Sequence, residues 1–152
     1  VLHFLHKGDQ TFKNTAPPFV DYANFDPNSP DGCRRAIYRF IFRTIPDPLL
    51  DALDCPDGSG TVPVRATSST AQQALALLND KFLLNHAEHM GRRIDDRHKG
   101  NIPEQVQAAF QLILQRQASS RELEQFARYV TSHGLANACH LLLITKEFLY
   151  LD

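Results

Sequence analysis

The sequence predicts a mainly α protein, a helical bundle of about four to five helices with an irregular, turn-rich N-terminal part that contains one or two short strands. Two observations lead to this prediction. Eight of the nine prolines lie before residue 68, together with most of the turn-forming dipeptides. After residue 68, apolar residues recur at helical spacing and Pro103 is the one remaining proline. We expect an extended arm over 1–25, continuing from an upstream domain, and a single mainly helical C-terminal domain over 26–152.

Turns and one strand are predicted in the N-terminal part. The segments 26–32 and 54–60 are rich in Asp, Asn, Pro and Gly, which favour turns. Between them, Tyr38, Phe40 and Phe42 alternate with other residues, and this period of two predicts a strand with one aromatic face. One or two helical turns are expected after that strand, because a first helical turn accepts a proline at Pro48.

The first long helical segment should begin at Ser69 or Thr70, either of which can serve as an N-cap. Leu75, Leu78 and Phe82 then keep the spacing i, i+3, i+7. This spacing predicts a single apolar stripe that faces a core.

The later helices are delimited by local signals. Asn79-Asp80 could divide the first segment into two helices, and Pro103 marks the start of the next helix. Ser119 and Glu122 have capping-box spacing, and Gly134 is a natural helix stop before a richly apolar last helix. The buried face of the helix that starts near Pro103 is predicted to comprise Val106, Ala109, Phe110 and Ile113.

Composition argues against nucleic-acid binding and against a membrane span. The chain has 152 residues and a formal net charge of −1, which argues against nucleic-acid binding because that function normally needs a basic face. No apolar run approaches the length of about 18 residues that a membrane span needs. Of the three cysteines, Cys139 lies in an apolar helical stretch and should be buried. Cys33 and Cys55 lie in turn regions and could pair in an oxidising compartment.

The stretch "NHAEHM" is the sharpest candidate for metal binding. On a helix, His86 is an i, i+3 neighbour of His89 and an i, i+4 neighbour of Met90, and such pairs can ligate one metal ion. The stretch lacks the HExxH spacing of a zinc enzyme. The alternative is a partly exposed helix face with Met90 packed inward, so His86 and His89 are only weak candidates. The Asp-rich segments 26–31 and 54–59 lack an EF-hand register, and Asx-turns explain both.

A polar site could form around the Arg- and Asp-rich block. Arginine guanidinium groups can receive a carboxylate or sulfate, although ion pairs with the nearby aspartates are the favoured interpretation. The candidate residues are Arg34, Arg35, Arg39, Asp54, Asp57 and Arg65. No GxSxG elbow accompanies them, and no sequence signature marks a reactive thiol. The catalytic residues, if there are any, stay unknown at this stage.

Four blocks of the sequence resemble a known family. They are "DPNSP" (26–30), "RRAIYRFIFRTIPDPLLDALDCPD" (34–57), "PVRATSSTAQQALALLNDKF" (63–82) and "GLANACHLLLITKEFLYLD" (134–152). Together they are similar to the PSD-one C-terminal domain, a domain of unknown function that is best known from planctomycetes. The similarity extends over about residues 20–152.

The resemblance implies the kind of larger protein that carries such a domain, but it does not imply a reaction. Such domains end large exported proteins that carry a second domain of unknown function and often a c-type cytochrome segment, and the family is associated with polysaccharide breakdown. It therefore implies an extracytoplasmic location (periplasm or cell surface), with the upstream domains of the same polypeptide, a cytochrome domain or a polysaccharide as partners. The haem motif CxxCH is absent from this chain, so we expect no cofactor in it.

Three hypotheses of function remain open. The first is a non-catalytic structural or interaction module, which should expose an apolar patch where its partner docks. The second is an enzyme whose site is shared between the Arg- and Asp-rich block and the upstream domain. The third is a carbohydrate-binding module that uses Tyr22, Phe25 or Tyr38 as stacking platforms.

Overall fold

The computed structural model describes residues 12–13, 19–20, 26–28, 47–55 and 70–150. Within them, two short strands, β1 (Phe12–Lys13) and β2 (Phe19–Val20), pair antiparallel with Phe12 opposite Val20. Seven helices follow in the described residues. They are α1 (Pro48–Ala52), α2 (Ala71–Asn79), α3 (Lys81–Arg97), α4 (Ile102–Ile113), α5 (Ser120–His133), α6 (Leu135–Leu143) and α7 (Lys146–Leu149).

The predicted mainly α fold class is confirmed. The strand predicted from Tyr38, Phe40 and Phe42 lies outside the described residues. The chain forms two compact units, Val1–Ala76 and Leu77–Asp152, and α2 runs across the boundary between them. The division into an arm over 1–25 and a domain over 26–152 stays a prediction.

Helix α1 is short because both of its ends are closed by local hydrogen bonds. Asp47 caps its first turn by accepting from the backbone N–H groups of Leu49 and Leu50, and Pro48 takes the first helical position as predicted. At the other end, the N–H of Cys55 donates to the carbonyl of Leu50 and the N–H of Asp54 to that of Asp51. This pair of bonds is a Schellman motif, which needs a left-handed residue after the helix. Asp54 supplies it, with φ of 54°.

Helices α2 and α3 are separate because Asn79-Asp80 breaks the segment, as the sequence indicated. Helix α2 ends at Asn79, and Asp80 caps α3 by accepting from the N–H groups of Phe82 and Leu83. Of the two predicted N-caps for α2, Thr70 lies in the described residues, and its hydroxyl accepts from the N–H of Gln73.

The stripe predicted from Leu75, Leu78 and Phe82 was wrong. Leu75 is 59% exposed and Leu78 is 49% exposed, whereas the buried residues of α2 are Gln73 and Leu77. The break at residue 80 puts Phe82 on a different helix axis, so the i, i+3, i+7 spacing does not describe one continuous surface. The i, i+4 pair of Gln73 and Leu77 defines the inward face of α2 instead.

Unit Leu77–Asp152 has one apolar core between α3, α4, α5 and α6. Its least exposed large side chains are Phe110, Leu142, Val106 and Cys139. All four residues predicted for the inner face of α4 are buried, which confirms that prediction. Phe110 meets Phe126 of α5 edge to face, with ring centroids 5.0 Å apart, a geometry that aromatic quadrupoles favour.

Helix α3 packs closely on α6 because both helices have a small residue at their crossing. A Cβ added to Gly91 would lie 3.0 Å from the Cα of Ala136. A larger residue at Gly91 would therefore push the two backbones apart. This contact brings the buried side of α3, at Ala87 and Ile94, onto the core.

The ends of α5 confirm two sequence predictions. Ser119 and Glu122 form the expected capping box, and the helix stops at Gly134, whose φ is 85°. The last apolar stretch, however, is two helices where one was expected. The chain breaks after Leu143, because the hydroxyl of Thr145 donates to the carbonyl of Leu142 and its oxygen accepts from Phe148 N–H, starting α7. A local side-chain bond thus competes with continuation of the helix.

Candidate functional site

Asp54 is the one residue of the predicted polar site that lies in the described part of the chain. Its carboxylate has a structural role, because it is engaged in a hydrogen bond between two helices. Its carboxylate accepts a hydrogen bond of 2.7 Å from Nε2 of Gln73. The Oε1 atom of Gln73 accepts from the N–H of Thr70, so both ends of this buried amide are satisfied. Asp54 therefore connects the end of α1 to the first turn of α2. The other candidates, Arg34, Arg35, Arg39, Asp57 and Arg65, lie outside the described residues.

The two histidines of "NHAEHM" lie on α3 as expected, and Met90 packs against the core. His86 is half-buried and meets the edge of Phe82 at 4.2 Å between ring centroids. Burial, and then the charge of His89, lower the pKa of His86. A lowered pKa favours the neutral imidazole, which is the form that binds metals. Within the described ranges no group of three or more His, Cys, Asp or Glu side chains could hold a metal ion, so the histidine pair alone offers two ligands.

His140 forms a buried long-range hydrogen bond that the sequence did not reveal. Its Nε2 lies 3.1 Å from the carbonyl oxygen of Leu77. Because a carbonyl can only accept, Nε2 carries the proton. The carbonyl belongs to the last turn of α2, where carbonyl groups lack partners within the helix. His140, which is 7% exposed, thus satisfies the end of a helix 63 residues earlier in the chain.

Arg116 forms a clamp that the sequence also did not reveal. Its guanidinium makes two hydrogen bonds to Glu122, at 2.7 and 3.0 Å, and two to Glu147, at 2.5 and 2.9 Å. It also lies over the ring of Phe110. The hydrogen bonds from Arg116 lower the pKa of Glu122 to about 2 and lower that of Glu147. A fifth hydrogen bond, of 3.1 Å, goes to the carbonyl of Gln117. All five N–H donors of the guanidinium are thus engaged by acceptors on the protein, so the cluster links α5 to α7 and is not a ligand site.

An exposed apolar surface lies on α2. Four of its residues recur at i, i+3, i+4 and i+7, all are exposed, and we call them the α2 face: Ala71, Ala74, Leu75 and Leu78. Leu75 and Leu78 are the most exposed large apolar side chains in the described part of the chain. None of the nine residues of α2 is charged.

Helix α5 shows the contrast. Its exposed positions carry Ser120, Arg121, Glu124, Gln125, Arg128, Thr131, Ser132 and His133, with no apolar residue among them. This is the pattern of a helix whose outer face is in contact with solvent. The α2 face has the opposite character, and contiguous exposed apolar residues mark interaction sites. Of the surfaces in the described residues, the α2 face is therefore the candidate functional site.

The remaining sequence candidates have simple structural roles. Cys139 is fully buried as predicted, and burial raises the pKa of its thiol to about 12. Cys55 is a free, half-buried thiol, while Cys33 lies outside the described residues, as do Tyr22, Phe25 and Tyr38. Asn28 donates its N–H to the carboxylate of Asp26, which forms the predicted Asx-turn. No helix within the described residues is long and apolar enough to cross a membrane.

Comparison with known proteins identifies a family and nothing further. The family model PSD1, described as a protein of unknown function (DUF1553), matches residues 5–130. No curated protein matches the chain, and no solved structure matches it.

Proposed function

The chain belongs to the PSD1 family of proteins of unknown function, and we propose that it is a non-catalytic C-terminal interaction module of a larger polypeptide. In this proposal it docks onto the upstream domains of the same polypeptide through the α2 face. The observation that carries the proposal is an exposed helix face with two leucines and no charge, whereas α5, another helix of the described residues, has a polar outer face.

Covering the α2 face would be favourable. Complete burial of a leucine side chain stabilises by about 1.5–3 kcal/mol. Leu75 and Leu78 are 59% and 49% exposed, so a partner that covers both would gain about 2 kcal/mol from these two side chains. That is a useful anchor for an interface between domains of one polypeptide, where the effective concentration of the partner is high.

The finer context of the proposal comes from the resemblance to the family. We propose an extracytoplasmic location and an assembly linked to a cytochrome or to polysaccharide processing, with no cofactor held by this chain itself. The absence of CxxCH from the sequence supports the last point for covalent haem. Fractionation of cells followed by detection of the full polypeptide tests the location, and recovery in the cytosol would contradict it.

A binding experiment tests docking. The segment encoded directly upstream in the same reading frame is produced as a separate chain and titrated with residues 1–152 by calorimetry. We expect binding, and we expect Leu78→Asp to weaken it at least tenfold, because the interface would then bury an unpaired charge. Thr131→Asp on α5 is the matched control, since it adds the same charge at an exposed helical position. Absence of binding by the wild-type chain, or equal binding by Leu78→Asp, would rule out this docking.

A further inference from the structure

We infer that α7 is a releasable strap at one end of the unit Leu77–Asp152. The ion pair between Arg116 and Glu147 holds α7 in place, and loss of this pair frees α7 while the core helices α3, α4, α5 and α6 stay folded. The inference concerns this unit alone and is independent of the docking proposed for the α2 face. Its supports are the exposure of α7, the chain break before it and the unequal hold on the two carboxylates of the Arg116 cluster.

Helix α7 is too short to be stable by itself. It has four residues, Lys146–Leu149, and none of them is buried. Isolated helices shorter than about 12–15 residues are marginal in water, so α7 depends on contacts with the rest of the unit to stay helical. Because apolar burial contributes little to these contacts, the ion pair of Glu147 carries a large share of the stability of the docked helix.

The break before α7 is also the point at which burial ends. Leu142 and Leu143, at the end of α6, are 1% and 3% exposed, whereas the first three residues of α7 are all exposed. The hydroxyl of Thr145 closes the break by bonding to the carbonyl of Leu142 and to the N–H of Phe148. Movement of α7 about this break would therefore leave the apolar core covered.

The guanidinium of Arg116 is fixed independently of α7. Arg116 lies in the connection between α4 and α5, directly after Gln115, whose left-handed backbone has φ of 58°. The side chain of Gln115 donates to the carbonyl of Leu112, which supports this turn. The guanidinium carbon lies 5.2 Å from the centroid of the buried Phe110 ring. Arg116 thus provides a rigid point to which α7 can attach.

The two carboxylates on Arg116 are held unequally. Glu122 also accepts from the N–H and the hydroxyl of Ser119, at 2.8 and 2.7 Å. In the described part of the chain, both hydrogen bonds of the Glu147 side chain go to Arg116. Glu147 is also the more exposed of the two, at 47% against 32% for Glu122. Since salt screens exposed ion pairs most, Glu147 is the carboxylate that leaves first, and its release frees donors at Nε and Nη2 of Arg116.

The experiment removes one charge and follows α7 by amide exchange in NMR. In Glu147→Gln, the amides of Leu149 and Tyr150, which close the α7 backbone hydrogen bonds, should exchange about fivefold faster than in the wild type. The amide of Val130, in the middle of the core, should be unchanged. Glu124→Gln is the matched control, because it breaks another exposed ion pair, with Arg128, and should leave α7 as it is.

A salt titration tests the strap without any substitution. Raising the sodium chloride concentration from about 0.01 M to about 1 M shortens the Debye length from about 30 Å to about 3 Å. Exchange of the α7 amides should then accelerate in the wild type and in Glu124→Gln but stay constant in Glu147→Gln. In the wild type, the Nε–H signal of Arg116, which donates to Glu147, should move toward the position of a solvated guanidinium.

Each outcome decides the inference. Acceleration confined to α7, in Glu147→Gln and in the wild type at high salt, supports the strap. Unchanged exchange of α7 under both conditions means that packing holds the helix, and it overturns the inference. Equal acceleration of α7 and Val130 also overturns it, because the ion pair would then support the fold of the whole unit.

Discussion

Replacement of His140 tests whether a side-chain hydrogen bond fixes the last turn of α2. In His140→Leu the carbonyl of Leu77 loses its donor at a site where both groups are buried. A buried polar group without a partner costs about 1–3 kcal/mol. We therefore expect the free energy of unfolding to fall by about 2 kcal/mol. His140→Gln keeps an N–H donor of comparable reach, and it should lose less.

Comparing the stabilities of His140→Leu and His140→Gln separates the effect of the hydrogen bond from that of hydrophobic burial. Leucine is more apolar than glutamine and gains more from burial, so a more stable His140→Gln variant can be explained by the hydrogen bond and not by hydrophobicity. Urea unfolding measures both, and amide exchange in α2 reports whether its last turn frays. His133→Leu is the control, because His133 is exposed on α5. If His140→Leu is as stable as His140→Gln, the assigned role of the hydrogen bond is refuted.

Three further predictions concern other groups. Glu122→Gln keeps the capping box but removes the charge, so it should lower the free energy of unfolding by up to about 1 kcal/mol at neutral pH. The pKa of Glu122 is lowered from 4.5 to about 2 in the folded chain. In urea titrations, the difference in stability from wild type should therefore shrink as the pH falls from 4.5 to about 2. Asp54→Ala should lower the free energy of unfolding by about 1–2 kcal/mol in thermal unfolding. It removes the acceptor from a buried amide and places an alanine in the left-handed backbone conformation of this position. Asp54→Asn should be nearly neutral, and equal losses in the two variants would contradict the structural role. In a Cys33→Ser background, a thiol reagent should label Cys55 in the native chain and Cys139 only after unfolding. The reason is that the thiol of Cys139 is buried and its pKa is raised to about 12. Labelling of both cysteines in the native state would contradict the burial of Cys139.

Local signals carried most of the sequence prediction of the helical part. The break at Asn79-Asp80, the capping box of Ser119 and the stop at Gly134 each depend on residues a few positions apart, so the sequence displays them directly. The inner face of α4 was also predictable, because that helix is uninterrupted and its period keeps one phase for three turns.

The errors and omissions have a common physical cause. The apolar stripe across α2 and α3 failed because a chain break resets the helical phase, and a pattern does not show which side of a short helix faces the core. His140 meets Leu77 across 63 residues, and Arg116 meets Glu147 across 31. Such contacts are set by how the helices pack, and no local spacing encodes them. For the contact between His140 and Leu77, the sequence offered one indication, which is the presence of a histidine within an otherwise apolar helix.

The central claim is that the α2 face is a docking surface, and amide hydrogen exchange of α2 tests it most directly. Exchange is measured by mass spectrometry for residues 1–152 alone and for the full polypeptide, with α5 as the internal reference. The account predicts that α2 exchanges at least tenfold more slowly in the full polypeptide, while the polar helix α5 is unchanged. Equal exchange of α2 in both samples would contradict it.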